Sequence, residues 1–439
     1  MSSCLNRICI TLPWPAGLLA LLGLVGMAPA HAAGEAVPSE VLVQLTSGDA
    51  LPPLLARHGL TLLSRFGARP IFRLGVAGLD DADTKVEALE LEPSVLRAER
   101  NHVQRSPEAR RNLVWAIGTP SAYTAQWAPQ ALRLTAAHAR SRGAGVRVAV
   151  LDSGVDIRHP ALAGRLLPGR DFVDLDADPS EAGTAADAGY GHGTHVAGLV
   201  ALVAPDARLV PLRVLDAGGA GNAWVLAEAL LYAVDPDGNP ATADGAHVIN
   251  LSLGTPSRTR ILDSVAELAA CALPDPAVDP VFADPGYNAD RERCAAASGA
   301  VIVAAAGNDG SATVREYPAA ESVYGMLAVT ASTAQRRLAG FANRGSWVDL
   351  AAPGDGITST LPGGGFGTWS GTSMAAPLVA GVAALVRAAA PALAPRAVVR
   401  RILRTAAPLC GTDLQQVDAA QALAGSERDG DGDGGGGCR

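Results

Sequence analysis

Two histidines stand three residues apart in the stretch GHGTHVAG, which covers residues 191–198. One interpretation is a pair of metal ligands on one face of a helix, because residues three apart are neighbours there. The other is a single catalytic base, His192, beside a buried structural histidine, His195. The first interpretation predicts a metallohydrolase, but the sequence has no HExxH motif and no convincing third ligand.

Three further residues can take part in nucleophilic or acid–base chemistry, although each also has an ordinary structural role. Asp152 directly follows an apolar run, where an Asp often caps a turn. Ser373 stands where a Gly-rich loop meets a long apolar helix, and a serine there is most often an N-cap. Asn308 follows another apolar run and is typical of a turn, yet its amide can donate to an anion near Ser373.

The elements that carry these residues predict how they meet. From about residue 112, strand-length apolar runs such as VRVAVL, HVINLSL and VIVAAA alternate with helical stretches such as THVAGLVALVA. Runs that are apolar on both faces and separated by helices predict a parallel sheet covered on both sides. The sequence therefore predicts an α/β fold of three layers, with a doubly wound, mostly parallel sheet and helices on both faces. Functional groups then lie at the carboxyl ends of the strands.

Together, in the order Asp, His, Asn, Ser, these motifs resemble those of the subtilisin-like serine proteases, or subtilases. The matching stretches are DSGVD from Asp152, GHGTHVAG around His192, LSLG at 251–254, AAGN ending at Asn308 and GTSMAAP around Ser373. Subtilisin has the same chain order of Asp, His and Ser. The resemblance covers residues 112–400 and implies the subtilisin-like fold.

The resemblance implies a serine endopeptidase that works through an acyl-enzyme. Ser373 would be the nucleophile, and His192 would take its proton and later deliver it to the leaving amine. Asp152 would orient the imidazole and stabilise its cation. The side chain of Asn308 and the backbone N–H of Ser373 would bind the oxyanion.

The resemblance also places the substrate, extended, between the edges GGAGN at 218–222 and SLG at 252–254. Such backbone pairing leaves selection to the side-chain pockets. The expected substrate-binding residues are Gly219, Gly221, Ser252, Leu253, Gly254, Ala305, Ala306 and Gly307. The base of the first pocket falls near Arg315 or Glu316, with Asp309 at its rim. An acidic residue facing this pocket predicts a preference for Lys or Arg.

Two calcium sites that occur in relatives lack their residues here. One uses an Asp soon after the HP of the first motif and a loop inserted in the helix after the catalytic histidine. Here Ala161 follows that HP, and the helix continues without an insertion. The other uses an Asp where this chain has Thr333. We therefore expect no metal at either place and no cofactor, while calcium elsewhere stays open. Leu378, where relatives usually carry His, is a further departure outside the triad.

The N-terminus predicts an exported precursor. Arg7 precedes the apolar run AGLLALLGLVGMA, and AHA at 30–32 fits a signal cleavage site. The run is short for a membrane span. We therefore expect a signal peptide at 1–32, a secreted or periplasmic product, and no stable membrane span after cleavage.

Residues 33–106 are predicted to form a small domain with the order β-α-β-β-α-β, a ferredoxin-like α+β arrangement. It resembles the inhibitory propeptide of the family, which assists folding and is then removed. The stretch SPEARRN at 106–112 is predicted to be a polar linker. The protease domain is expected to span 107–424.

Cysteines Cys4 and Cys9 precede the apolar run and would leave with the signal. The four that remain in an exported chain predict disulfides, and local loop closure favours Cys271–Cys294 and Cys410–Cys438. The first pair brackets a Pro- and Asp-rich stretch, 271–298, interpreted as a surface insertion. The Asp- and Gly-rich tail, 425–439, is predicted to be flexible.

A net charge of −8 argues against nucleic acid or an anionic membrane as partner. The expected partners are protein or peptide substrates and the chain's own propeptide, and the expected state is a monomer. The main alternative is a catalytically silent binding protein on the same fold, which the presence of Asp152, His192, Asn308 and Ser373 disfavours. His192 and Asn308 also disfavour the acid-active relatives, which carry Glu and Asp there.

Overall fold

The computed structural model describes residues 35–77, 81–108, 116–239, 241–273, 287–296 and 299–425. The expected signal peptide, Cys438 and nearly all of the expected tail lie outside the described residues. So does the middle of the expected insertion, residues 274–286.

The N-terminal domain, residues 35–106 of the described chain, is an antiparallel sheet with two helices. Its elements are β1 (Ala36–Leu45), α1 (Leu51–His58), β2 (Leu60–Arg65), β3 (Ile71–Val76), α2 (Ala82–Glu90) and β4 (Val95–Arg105). The strand order is β2-β3-β1-β4, and all of these neighbours are antiparallel. Alternate residues of β1, Val41 and Val43, pack in one core with Leu54 of α1 and Leu89 of α2. Both helices therefore cover the same face, in the element order β-α-β-β-α-β.

A nine-stranded sheet forms the centre of the remaining described chain. The strands after β4 are β5 (Ala116–Ile117), β6 (Arg147–Asp152), β7 (Arg170–Asp171), β8 (Arg208–Arg213), β9 (Ala220–Asn222), β10 (Val248–Leu251), β11 (Val301–Ala305), β12 (Met326–Ser332), β13 (Leu350–Pro353), β14 (Ile357–Leu361), β15 (Gly365–Trp369), β16 (Ala407–Pro408) and β17 (Gln415–Gln416). The order is β16-β17-β13-β12-β11-β10-β6-β8-β7, parallel except for the β16–β17 pair. Strands β14, β15 and β5 form a small antiparallel sheet, whereas β9 joins β4 of the N-terminal domain.

Helices cover both faces of the nine-stranded sheet. They are α3 (Pro120–Ala125), α4 (Trp127–Ala131), α5 (Leu134–His138), α6 (His192–Val203), α7 (Ala223–Val234), α8 (Arg260–Ala270), α9 (Asn288–Ala296), α10 (Thr372–Ala389), α11 (Pro395–Arg404) and α12 (Ala419–Ala424). Successive residues of β6 enter different cores: Val150 packs with α6 and α10, and Leu151 packs with α7 and α8. The prediction of a three-layer, mostly parallel α/β fold is confirmed.

Helix α10, which begins one residue before Ser373, runs through the core. Among the described residues it is the one helix long and apolar enough to cross a membrane, and 89% of its apolar window is buried inside the protein.

The disulfide Cys271–Cys294 closes the expected insertion, with 5.4 Å between the two Cα atoms. It joins the residue after α8 to α9, so this favoured pairing is confirmed. The other favoured pairing involves Cys438, which lies outside the described residues.

Candidate active site

Three adjacent strands bring the predicted site residues to one edge of the sheet. Strands β6, β10 and β11 are neighbours and parallel, so their carboxyl ends meet. Asp152 is the last residue of β6, Ser252 follows β10, and Asn308 lies three residues beyond β11. The site therefore follows from the parallel order of the sheet.

His192 is the first residue of α6, and the Asp152 carboxylate contacts its ring. The Nδ1 atom of His192 lies 2.7 Å from Oδ1 of Asp152, and both residues are buried. The backbone N–H of Ser153 donates to the same carboxylate oxygen at 2.8 Å. A Cβ at Gly193 would lie 2.0 Å from the carbonyl oxygen of Gly154, so only glycine allows the helix to start this close to the strand.

The start of α10 orients the other two predicted catalytic residues. The Oδ1 atom of Asn308 accepts hydrogen bonds from the backbone N–H and the hydroxyl of Thr372, at 2.9 and 3.0 Å. These bonds fix the orientation of the amide and leave its Nδ2 group as a donor on the other side. The Ser373 hydroxyl also lies 3.3 Å from the carbonyl oxygen of Ser252.

Glu108, three residues after the end of β4 and two residues beyond the expected propeptide, occupies the centre of this arrangement. Its Oε2 atom accepts from the hydroxyl of Ser373 at 2.6 Å and lies 3.1 Å from Nε2 of His192. Its Oε1 atom accepts from Nδ2 of Asn308 at 2.8 Å. A Cβ at Gly371 would lie 1.8 Å from Oε1, so this glycine is needed for the approach. Sequence reasoning missed Glu108, which it placed in a linker.

The two carboxylates decide the charge of His192. Burial lowers the pKa of a histidine, but Asp152 and Glu108 outweigh it and raise the pKa of His192 to about 10. Burial raises the pKa of Glu108, yet the hydrogen bond and charge of His192, with the bonds from Ser373 and Asn308, hold it below 4.5. With Glu108 in place, His192 is a cation at neutral pH and cannot accept a proton from Ser373.

The end of β4 runs between the two backbone edges that the sequence assigns to substrate. Arg105 exchanges both backbone hydrogen bonds with Gly254, at 2.9 and 2.8 Å, and Ser106 N–H donates to the carbonyl of Gly219. On the β9 side, Gln104 pairs with Gly221. These expected substrate-binding residues therefore flank an extended stretch of the chain itself.

In the expected first pocket, Glu316 lies between Gly254 and Gly307. A Cβ at Gly254 would lie 2.6 Å from Cγ and Oε1 of Glu316, and one at Gly307 would lie 3.4 Å from its Oε2. Glu316 is fully buried, whereas Arg315 lies against the ring of Trp347. Glu316 is therefore the acidic residue between the walls.

The remaining expected pocket residues contribute mainly backbone. Ala305 and Ala306 are fully buried, and the side chain of Leu253 packs in the core shared by α7 and α8. The Ser252 hydroxyl donates to the carbonyl of Ser373 at 3.0 Å. It therefore ties one wall of the expected pocket to Ser373.

Glu181 braces the pair formed by Asp152 and His192, and it was not among the predicted site residues. Its Oε1 accepts from the hydroxyl of Ser153 at 2.5 Å, and its Oε2 accepts from the N–H and hydroxyl of Thr194 at 3.1 and 2.5 Å. A carboxylate is favoured at this helix N-terminus. Burial, with a contribution from the charge of Asp152, raises the pKa of Glu181 to about 7.

His195 takes no part in the pair of metal ligands considered from the sequence. It is fully buried, its ring stacks on Trp369 with 4.9 Å between centroids, and its Nε2 lies 3.1 Å from the carbonyl oxygen of Gly367. Burial lowers the pKa of His195 to about 3. It is a neutral packing residue.

The first of the two calcium sites considered from the sequence lacks the ligands that it has in relatives. Ala161 offers no carboxylate, and α6 is continuous over His192–Val203 without an inserted loop. Elsewhere among the described residues, Asp235, Asp237 and Asp244 bring carboxylate oxygens within 4.8 Å of one another.

Comparison with known proteins identifies similar sequences. The family model described as the subtilase family matches residues 143–431. The chain is 34% identical over 370 residues to the thermophilic serine proteinase of Bacillus sp. (strain AK1), which covers 81% of this chain and 79% of that protein. It is 36% identical over 271 residues to thermitase of Thermoactinomyces vulgaris, with 60% of this chain and 81% of thermitase covered.

The structure is also similar to the crystal structure of fervidolysin from Fervidobacterium pennivorans, an enzyme related to subtilisin. The TM-score is 0.67 at 22% identity, covering 90% of this chain. The chain spans 62% of the length of fervidolysin. At this identity, the similarity shows a shared fold.

Proposed function

The chain belongs to the subtilase family and is a serine-type endopeptidase, and we propose that Asp152, His192 and Ser373 are its catalytic triad, with Asn308 in the oxyanion hole. The observation that carries this proposal is the convergence of three groups on Glu108. The Ser373 hydroxyl, the His192 ring and the Asn308 amide all lie within 3.1 Å of its carboxylate oxygens. A reacting carbonyl group needs the same partners.

In the proposed mechanism, the Ser373 oxygen attacks the substrate carbonyl carbon while His192 Nε2 takes the hydroxyl proton. The carbonyl electron pair moves onto its oxygen, which Asn308 Nδ2 and the Ser373 N–H stabilise. The C–N bond then breaks, and His192 gives its proton to the leaving amine. Water then attacks the acyl carbon while His192 takes a proton from it, the bond to the Ser373 oxygen breaks, and His192 returns the proton to Ser373, which releases the carboxylic acid product.

We propose that the enzyme is made as an exported zymogen. Residues 1–32 would be the signal peptide, 33–106 the inhibitory propeptide and 107–424 the protease domain. The extended path of Gln104–Ser106 through the cleft supports inhibition by occupation of the substrate site. The N-terminal sequence of the exported product tests the first boundary, and that of the active product tests the second.

Glu108 supplies the charge that keeps the proposed zymogen inactive. Replacing Glu108 with Gln removes one of the two anions that keep His192 protonated. We therefore expect self-processing of the full chain to become about 10- to 100-fold faster, since hydrogen bonds to charged groups contribute about 1.5–3 kcal/mol. The measurement is the first-order loss of full-length protein, followed by mass spectrometry.

Glu90→Gln provides the matched control. It makes the same substitution at an exposed carboxylate, on α2 of the N-terminal domain. It should process at the wild-type rate. If Glu108→Gln processes itself at the wild-type rate, Glu108 has no role in inhibition. That result would not contradict the proposed triad.

We propose that Glu316 directs cleavage to bonds that follow Lys or Arg. Glu316 is buried beside Gly254 and Gly307, the two glycines of the expected first pocket, and a carboxylate there can form a charge-assisted hydrogen bond with a cationic substrate side chain. In peptides that vary only at this position, kcat/KM should be highest for Arg and Lys. Glu316→Gln should lower kcat/KM for the Arg peptide by about 10- to 100-fold.

The matched comparison is the same variant on the peptide with Phe, for which kcat/KM should hold or rise. A wild-type preference for large apolar residues would contradict the assignment of Glu316 as the selecting group.

A further inference from the structure

The disulfide-closed insertion, residues 271–298, contacts the N-terminal domain. Its described part begins again at Tyr287 and continues through α9. Three N-terminal-domain contacts reach it, two from Arg69 and one from Gln44. The insertion therefore has a neighbour that the sequence did not predict.

The first contact is an ion pair between Arg69 and Asp290. The Nη2 and Nε atoms of Arg69 donate to Oδ2 of Asp290 at 2.5 and 3.1 Å. The side chains are only 13% and 4% exposed. Because the pair is shielded from water, its attraction is screened far less than that of a surface pair.

The second contact surrounds Tyr287. Gln44 is fully buried in β1 and donates its Nε2–H to the Tyr287 hydroxyl at 2.8 Å. The guanidinium carbon of Arg69 lies 5.8 Å from the centre of the Tyr287 ring, within the range of a cation–π contact. Arg69 is thus held by a carboxylate and an aromatic face of the same insertion.

The insertion side of this contact is fixed within the protease part. The disulfide Cys271–Cys294 ties α9 to the end of α8. Arg293, which is 2% exposed, donates from Nη2 to the carbonyl of Leu268 in α8 at 2.5 Å. Asp290 and Tyr287 are therefore presented on an anchored segment, which reduces the ordering cost when the N-terminal domain binds.

We propose that the insertion is a recognition site for the N-terminal domain, and that the Arg69–Asp290 pair sets how long this domain stays bound after it has been cleaved. The inference rests on the proposed zymogen function and extends it. Glu108 acts on the cleavage step, whereas the insertion acts on release of the cleaved domain. The partner is the antiparallel domain of this same chain, recognised by one cation and one buried amide.

Arg69→Ala in the full chain tests the proposal, because the mature enzyme it yields has the wild-type sequence. Truncating one partner of a buried, hydrogen-bonded charge pair raises the dissociation rate, here by about 30-fold or more. We expect self-cleavage at the wild-type rate, followed by a correspondingly shorter delay before activity appears. The two readouts are mass spectrometry of the cleavage and co-elution of the cleaved domain in gel filtration.

Arg57→Ala is the matched control within the N-terminal domain. Arg57 is paired with Glu92 of the same domain, so its loss should leave the delay unchanged. On the insertion side, Asp290→Ala should shorten the delay as Arg69→Ala does. Glu292→Ala, which removes an exposed carboxylate from the same helix, should not. The exchanged pair Arg69→Asp with Asp290→Arg should restore much of the delay.

Normal cleavage with the wild-type delay in both Arg69→Ala and Asp290→Ala would overturn the recognition role and leave the zymogen standing. If the wild-type chain is active without any cleavage of its N-terminal domain, the zymogen proposal fails, and the role of the insertion fails with it.

Discussion

Ser373→Ala is expected to lower kcat by about a millionfold, which is the size of the effect of removing the nucleophile in subtilisin. Ser373 is the proposed nucleophile, and alanine has no hydroxyl to form the acyl-enzyme. The variant cannot process itself, so it should accumulate with its N-terminal domain attached. Tagged wild-type enzyme can cleave the variant in trans and can then be removed. The matured variant should remain inactive on peptides.

A serine-directed covalent inhibitor gives a second measurement. It should add to wild-type enzyme once per chain, at Ser373, and abolish activity. Ser370→Ala is the matched control, because the Ser370 hydroxyl bonds only Asp355 and Gly356 nearby. This variant should be labelled and active. Loss of wild-type activity to a chelator, without labelling, would instead favour a metallohydrolase. Absence of both activity and labelling would favour a silent binding protein.

The sheet and the convergence of the predicted residues were accessible from the sequence for one physical reason. Apolar runs separated by helices specify a parallel sheet, and a parallel sheet gathers the carboxyl ends of its strands. The sequence alone therefore indicates that Asp152 and Asn308 lie near one another, because each follows a strand of this sheet. His192 and Ser373 were identified from the resemblance of their motifs to those of subtilases, and in the structure each stands at the start of an apolar helix.

The position of Glu108 in the candidate active site could not be predicted from the pattern of strands and helices. Glu108 reaches Ser373 because β4 pairs with β9 and with Gly254, a contact between segments more than one hundred residues apart. Local periodicity carries no information on such docking, and the polar composition of SPEARRN predicts a linker. The contact of Arg69 with Asp290 was hidden for the same reason, since it joins residues 221 positions apart.

The first pocket illustrates a smaller gap. Two adjacent residues, Arg315 and Glu316, were candidates for the base of this pocket, and neighbouring residues of an extended segment point in opposite directions. Only the pairing of Thr255 with Tyr317 fixes which of them faces Gly254. One residue of register therefore decides whether the pocket is acidic.

Asn308→Ala is expected to lower kcat by about 10²- to 10³-fold with little change in KM, as does loss of the equivalent donor in subtilisin. The Nδ2 group of Asn308 is aimed by Thr372 and donates to an anionic oxygen beside Ser373. The oxyanion exists only in the transition state and the tetrahedral intermediate, so the loss should fall on kcat. Unlike Ser373→Ala, this variant keeps its nucleophile, so it can be assayed directly after maturation.

The same amide also donates to Glu108, so Asn308 variants should weaken both inhibition and catalysis. Asn308→Asp replaces the donor with a carboxylate facing that of Glu108, which should loosen the hold on the segment that carries Glu108 while lowering kcat further than alanine does. Active-site titration with the covalent inhibitor corrects kcat for the fraction of competent enzyme. A rise in KM at unchanged kcat in Asn308→Ala would assign the amide to substrate binding rather than to the oxyanion. If the Asn308→Asp variant instead binds the segment that carries Glu108 more tightly, then the Glu108 side chain is not an anion in the site.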